Sequence, residues 1–319
     1  MPIRLSGARR RGGALLRAEP SWLATGVRVC RKSPDQISAV VCSWNSAGSI
    51  EACLRSLREN GVGEIILVDA DSDDGTREIA APLADVILTD QRQGLAAARN
   101  LGIAVARGEY ILNCGADNAL PPGSLHGMLS FMLEGGWAGV SAITVLSGPG
   151  WLSWCLDLYK RLRFFPGERS VIGTPTLFLA ERLKAQPFNN AHTWSDDSEL
   201  CERWRRLFGA RFAIAPVEVR EVGPATLAGV VYRWKHYGRS DHETYSAHRH
   251  SWTRRRKLQS WLYPLRVELL QPLVKAPWTK RFRLLPFLLL ITGIRYRWWF
   301  YHHRHTAPVA ATHSARGAT

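Results

Sequence analysis

The chain has 319 residues, 46% of them hydrophobic, which is enough for a full-sized core with an appendage. Its net charge of +15 is unevenly spread: residues 1–32 carry eight Lys and Arg against one acid, 33–232 carry 17 against 23, and 233–319 carry 17 against three. The six cysteines show no metal-ligand spacing and several lie in apolar runs, which disfavours a disulfide framework and reads as buried thiols in a reducing compartment.

In chain order, residues 1–35 form a basic arm with Arg9-Arg10-Arg11 and no apolar stretch of signal-peptide length; the arm is expected to be disordered and the chain not secreted. Ile37–Cys42 reads as a strand, and Ser49–Arg58 as a helix with Ile50, Cys53, Leu54 and Leu57 on one face. Ile65–Val68 is a second strand, Thr76–Ala84 a helix, Val86–Leu88 a short third strand, Leu95–Ala106 an Ala-rich helix and Tyr110–Cys114 a fourth strand. Strands and helices alternating at this pace predict a parallel, doubly wound α/β sheet. Past Pro121 the pattern loosens, with strand regions at Gly135–Ser147 and Val171–Leu179, an aromatic amphipathic segment at Trp151–Phe165, and a helix at Asp196–Phe208 opened by acids. From about Val230 the chain turns basic, aromatic and helical.

Between the second strand and the helix after it, Val-Asp-Ala-Asp-Ser-Asp-Asp-Gly-Thr places Asp69, Asp71, Asp73 and Asp74 in six positions. A parallel sheet puts its ligands beyond the carboxyl ends of its strands, and clustered carboxylates repel unless solvated, hydrogen-bonded or matched to a ligand. The cluster is therefore a candidate site. Gly-x-Gly-x-x-Gly, the Walker pattern and a nucleophile elbow are all missing, which disfavours a nicotinamide or flavin enzyme, a nucleotide-hydrolysing motor and a triad hydrolase.

Five blocks in order resemble the family 2 nucleotide-sugar glycosyltransferases, the inverting class with a GT-A domain. They are Ile37–Asn45 (Ile-Ser-Ala-Val-Val-Cys-Ser-Trp-Asn), Val68–Thr76, Gly94–Gly102 (Gly-Leu-Ala-Ala-Ala-Arg-Asn-Leu-Gly), Gly108–Gly123, and Ser195–Arg203 (Ser-Asp-Asp-Ser-Glu-Leu-Cys-Glu-Arg), together covering about residues 37–215. The resemblance implies a Rossmann-like, mostly parallel sheet flanked by helices over 36–230, a basic helical appendage over 231–305 and a disordered tail at 306–319.

It also implies site roles. Ser43, Asn45, Asp69 and Asp71 are candidates for the donor nucleoside, since base imide and ribose hydroxyls need fixed acceptors; a solvated turn is the alternative, and it suits Asp73 and Asp74 best. Arg99 pairs either with the donor diphosphate or with the acidic turn. The family's metal loop, Asp-x-Asp, corresponds to Gly115-Ala116-Asp117, so its first acid is missing; Asp117, with Asn118, is the candidate ligand set for Mg²⁺ or Mn²⁺. Asp197, with Asp196 beside it, corresponds to the general base that deprotonates the acceptor hydroxyl, while both acids otherwise serve as helix caps.

Tyr232-Arg233-Trp234 faintly resembles the Gln-x-x-Arg-Trp signature of processive synthases with Val230 in place of Gln, which implies single additions and leaves Arg233 and Trp234 as acceptor-side or packing residues. Arg254-Arg255-Arg256-Lys257, the Trp- and Leu-rich stretch after it, and the eleven-residue apolar run Leu284–Ile294 are too short to span a bilayer; cations beside Trp and Tyr suit a segment lying in a membrane interface, against packing on the core. The expected function is sugar transfer from a nucleoside diphosphate to a hydroxyl on a lipid-linked or envelope glycan, at the inner face of the cell membrane. The alternatives are a non-catalytic nucleotide-sugar-binding relative and a nucleic-acid-binding protein using the basic arms; nucleic acid is not the expected partner.

Overall fold

The structure is a computed structural model that describes residues 33–146, 148–190, 196–223, 225–250 and 252–305. Most of the basic arm 1–35, and the tail 306–319, lie outside the described residues. The first half alternates as the apolar runs dictate: β1 (Ile37–Ser43), α1 (Ile50–Glu59), β2 (Glu64–Asp69), α2 (Thr76–Ala80), β3 (Val86–Thr89), α3 (Leu95–Val105) and β4 (Tyr110–Gly115). These four strands pair in parallel, in the order β3-β2-β1-β4. The register aligns Ser43 with Asp69 and Cys42 with Gly115, so the carboxyl ends of β1, β2 and β4 form one edge.

α3 lies close on this sheet because Gly102 has no side chain: a Cβ there would sit 2.4 Å from Val40 Cγ1 and 3.1 Å from Val68 Cγ2. The close approach carries Arg99, one turn earlier, into the interior.

Beyond β4 come β5 (Asn118–Ala119), α4 (Ser124–Gly135), β6 (Gly139–Leu146), α5 (Trp151–Arg163), β7 (Gly167–Arg169), β8 (Thr176–Leu179), α6 (Ala180–Ala185), α7 (Asp196–Phe208) and β9 (Phe212–Glu221). The sheet continues β4-β8-β6-β9-β5, with β8 antiparallel to both its neighbours and β6 parallel to β9. The α/β expectation holds, with an antiparallel strand inserted where the parallel pattern weakens. Of the segment expected as a strand at Val171–Leu179, only Thr176–Leu179 is in the sheet; the residues before it turn toward α7.

The C-terminal region is helical as expected: α8 (Leu227–His248), α9 (Arg254–Trp261), a π-helical turn at Leu265–Leu270, α10 (Gln271–Lys275) and α11 (Trp278–His305). The expected boundary at residue 230 falls inside α8. These helices share a second core with α5, in which Tyr159, Trp234, Leu284, Phe287 and Ile291 are buried together. Among the described residues no helix is long and apolar enough to cross a membrane.

Candidate active site

The Asp69 carboxylate is fully buried at the end of β2. It accepts hydrogen bonds from Ser43 Oγ (2.7 Å), from the Ser72 amide (2.8 Å) and from Ser72 Oγ (2.6 Å). With these bonds made, Asp69 organises the loop. It does not face outward as a nucleoside acceptor. Asn45, in the left-handed region at φ 47°, donates its amide to Ser72 Oγ (2.8 Å) and accepts from the Asp73 amide (3.2 Å). Asp71, also left-handed at φ 51° and exposed, accepts from Thr89 Oγ1 at 2.8 Å. Ser43, Asn45, Asp69 and Asp71 are therefore brought to one loop pair beyond β1 and β2, and Asn45 and Asp71 are the members open to a ligand.

Asp74 accepts from the amides of Ala47 (2.9 Å) and Thr76 (3.1 Å), which is the turn-and-cap role its position suggests.

Arg99 is buried and turned toward α7, away from the Asp69 turn. Its Nη1 lies 2.6 Å from Asp196 Oδ2 and 2.7 Å from Asp197 Oδ1, and its Nη2 donates to Thr174 Oγ1 at 2.6 Å. The guanidinium thus holds both acids at the N-terminus of α7, where the helix dipole also favours them. Asp196 is buried, whereas the Asp197 side chain is 24% exposed. Burial pushes the Asp197 carboxyl up to about 6, against the pull of Arg99 and with the help of the Asp196 charge. Its Oδ2 lies 4.0 Å from where a Cβ on Gly173 would stand. A partly exposed carboxylate with one oxygen fixed by a cation and a pKa near neutrality has the properties of a general base.

On the far side of the edge, Asp117 follows β4 and is half-buried. Burial raises its pKa, and the Glu221 charge adds to this, against Arg233 and Lys160. Asn118 Nδ2 donates to Asp117 Oδ1 at 3.2 Å, and Asn118 Oδ1 accepts from the Gly115 amide at 3.2 Å. Gly115 is the space this carboxylate occupies: a Cβ there would be 2.7 Å from Asp117 Oδ1. The missing first acid of the loop and the fold-back of Asp117 are thus one feature. Asp117 and Asn118 offer one carboxylate and one carboxamide oxygen, a hard-oxygen pair that suits Mg²⁺ or Mn²⁺ once phosphate oxygens complete the shell. Among the described residues no group of three or more His, Cys, Asp or Glu could hold a metal by itself.

Arg233 and Trp234 part company. Arg233 Nη2 meets Glu221 Oε1 at 2.6 Å, and Lys160 binds the other oxygen of that carboxylate. Burial opposes ionisation of Glu221, but Arg233 and Lys160 together hold it down at about 2. Since Glu221 pairs with Asn118 across β9 and β5, this ion cluster stands beside Asp117. Trp234 is 1% exposed, its ring packed against Tyr159 (5.7 Å), Tyr237 (5.8 Å) and Phe287 (6.0 Å) between centroids. The packing alternative holds for it, because a fully buried indole has no surface to give an acceptor. Glu221, Lys160, Gly173 and Thr174 were not singled out from sequence and lie outside the five blocks; Ser72 lies within the second block, where the four acids drew the attention.

Residues 38–184 match the family described as Glycosyl transferase family 2. They are a family 2 glycosyltransferase domain. Curated relatives include the succinoglycan biosynthesis protein ExoO of Rhizobium meliloti, 36% identical over 104 residues (31% of this chain, 30% of that protein). A cholesterol galactosyltransferase of Borreliella burgdorferi is 32% identical over 92 residues (27% of this chain, 26% of that protein). The matched segment thus spans less than a third of either relative. Among solved structures, the mannosyltransferase PcManGT from Pyrobaculum calidifontis in complex with GDP-Man and Mn²⁺ aligns with a TM-score of 0.55 at 18% identity, covering 90% of this chain and 81% of that one. The chain therefore has the GT-A-type fold that the five sequence blocks imply.

Proposed function

We propose that the chain is an inverting glycosyltransferase that moves a sugar from a nucleoside diphosphate to a hydroxyl of a lipid-linked or cell-envelope glycan. The observation that carries this reading is the partly exposed Asp197 carboxylate, raised to about 6 and fixed through one oxygen by Arg99. Asp197 takes the proton of the acceptor hydroxyl as that oxygen bonds to the anomeric carbon, while the bond from that carbon to the diphosphate oxygen breaks and the nucleoside diphosphate departs. Asn45 and Asp71 line the nucleoside side of the edge. Asp117 and Asn118 would hold a divalent cation together with the donor diphosphate, and such a cation neutralises the leaving charge when bound. The relatives that act on glycans and lipids, and the basic, aromatic C-terminal helices, support an acceptor at the inner membrane face.

A second reading, a nucleotide-sugar-binding protein without turnover, is favoured by one observation, the missing acid at Gly115. Donor turnover measured with Mn²⁺ across a panel of nucleotide sugars separates the two. Transfer or donor hydrolysis that disappears in Asp197→Asn supports the enzyme. Nucleotide binding with no turnover in the unaltered chain across that panel supports the second reading.

A further inference from the structure

We infer that Asn113 and Thr176 are specificity-determining residues that read a hydroxyl of the transferred sugar, between the candidate cation site and the Asp197 base. The inference rests on the glycosyltransferase reading and deepens it by naming residues that choose the donor.

Asn113 on β4 and Thr176 on β8 are partners in register, and Ser141 on β6 is the partner of Thr176 on its other side. All three are buried, each 2% exposed. The adjacent row of the same strands is apolar, with Leu112, Leu177 and Val140 aligned. The polar row is therefore a local interruption of the core, and bonds within the fold do not close it. Among the described residues, Asn113 Nδ2, Asn113 Oδ1 and Thr176 Oγ1 have no hydrogen-bond partner. Buried polar groups are nearly always bonded, and leaving them without partners costs stability. Side chains directly opposite on antiparallel strands start about 5 Å apart, so one small polar group can meet both.

The strand connections put this pair where a sugar must lie. The row faces α3: Val40, the β1 partner of Asn113, is the side chain that a Cβ on Gly102 of α3 would strike, and Arg99 stands three residues before Gly102. Two residues further along the same face of β1, Cys42 feels the Arg99 and Asp196 charges. From Asn113, β4 reaches Gly115 in two residues and then Asp117. From Thr176 the chain leads back to Thr174 in two residues, at most about 7 Å. Thr174 binds Arg99, which binds Asp197. One strand thus leads to the candidate cation site, and its neighbour to the support of the base. The transferred sugar is bonded to the diphosphate at its anomeric carbon and is attacked there by the oxygen that Asp197 deprotonates, so its ring lies between the two. An amide offering a donor and an acceptor, with a hydroxyl across from it, matches a sugar hydroxyl, which both donates and accepts. A closed polar site of this kind discriminates strongly, because a sugar without that hydroxyl leaves the pair without partners.

The test measures binding of UDP-glucose, UDP-galactose, UDP-N-acetylglucosamine and GDP-mannose, with UDP and GDP alongside, by calorimetry on the full chain and on Asn113→Leu combined with Thr176→Val. The expected result is that the nucleotide sugar preferred by the unaltered chain binds the double variant at least tenfold more weakly and loses its lead over the other sugars. Its nucleoside diphosphate binds unchanged, and the melting temperature stays or rises. Thr176→Ser, which keeps the hydroxyl, retains the preference. An unchanged ranking of the sugars in the double variant overturns the inference, and so does an equal loss of nucleotide sugar and nucleoside diphosphate. Where the double variant does not fold, Thr176→Val alone decides by the same criteria; a lower melting temperature in that variant, whose shape is kept, shows that the hydroxyl serves the fold and overturns the inference as well. Nucleoside diphosphate binding with no preference among the four sugars sinks the inference alone. If the unaltered chain binds neither UDP nor GDP, the glycosyltransferase reading fails and the inference fails with it.

Discussion

Asp197 is held between two opposed influences, and the balance sets how activity depends on pH. Burial and Asp196 favour its protonated form, Arg99 its ionised form, and the outcome is a carboxyl near 6. A base must be ionised to accept a proton, so kcat/KM is expected to fall about tenfold per unit as pH drops below about 6 and to level off above it. Asp197→Asn removes the limb together with the activity. In Arg99→Gln the influence that lowers the pKa is lost, so the limb moves to higher pH in the enzyme that remains folded; a pH–rate profile reads both. Gly115 yields a prediction contrary to the simple idea of repair. Restoring the missing acid as Gly115→Asp puts a Cβ where Asp117 Oδ1 now lies, 2.7 Å away. The atom that must move is the end of a flexible side chain, but the new carboxylate stands beside half-buried Asp117 and the Glu221 charge, so stability is expected to fall by about 1 kcal/mol in chemical denaturation. Mn²⁺-stimulated turnover is expected to drop, because the displaced carboxylate is the candidate ligand.

At the scale of elements, the join between the domain and its C-terminal helices depends on one buried acid. Glu268, on the π-helical turn, is fully buried and paired with Arg163 of α5 at 2.7 Å and with Arg295 of α11, while Tyr159 donates to it. Burial opposes its ionisation, yet Arg163 and Arg295 hold it at about 2. Arg295 is anchored further by Asp241 of α8 at 2.7 Å and 2.9 Å. Glu268→Ala leaves two cations without their shared partner, a change that costs about 3–5 kcal/mol when the pair is buried; urea denaturation followed by tryptophan fluorescence measures the loss. This network was illegible in sequence because its members lie more than 100 residues apart in places, as Tyr159 and Glu268 do.

β1 to β4 and the helices between them were legible because each strand is a mostly apolar run and each helix a periodic one, although α2 stops at Ala80, short of the expected Ala84, and the two-residue β5 was not read. β9 was missed because Pro216 breaks the run Phe212–Glu221. The structure accommodates it at a register shift opposite Ser141 and Ile143, a place where a strand tolerates proline. α4 was missed although Leu125, Met128, Leu129 and Met132 follow helical spacing, since Gly127 and Gly135 dilute the signal. The same division holds for the site. Asp197 was singled out because its block is distinctive, whereas the pairing of Arg99 with α7, rather than with the acidic turn, depends on tertiary placement of Thr174 and Asp196, for which neighbouring residues give no sign.

Over the whole molecule, the charge imbalance read from the sequence takes on a direction. Residues 269–305 contain seven Lys and Arg and no Asp or Glu. α11 buries Leu284, Phe287, Leu288 and Ile291 against the domain, while Trp278 (68%), Phe282 (73%) and Leu289 (52%) stay exposed on the same helix. An exposed apolar stripe with cations and no acids beside it complements an anionic bilayer, where aromatic groups enter the interface and cations meet headgroups. A second copy of the chain would bring like charge to like. The two contributions are separable. Phe282→Ser with Trp278→Ser removes apolar burial worth roughly 2 kcal/mol per side chain, so partitioning onto phosphatidylglycerol vesicles is expected to fall by at least tenfold. Raising salt from 0.1 M to 1 M shortens the screening length from about 10 Å to about 3 Å and is expected to weaken the unaltered protein further than neutral-lipid binding. Co-sedimentation in both conditions checks this, with the nucleoside diphosphate titration unchanged in the Ser variant as proof of an intact domain. Vesicle binding that survives both the substitutions and the salt would show that the stripe does not face the membrane, and association of the unaltered chain into dimers abolished by the Ser variant would assign the stripe to a second copy instead.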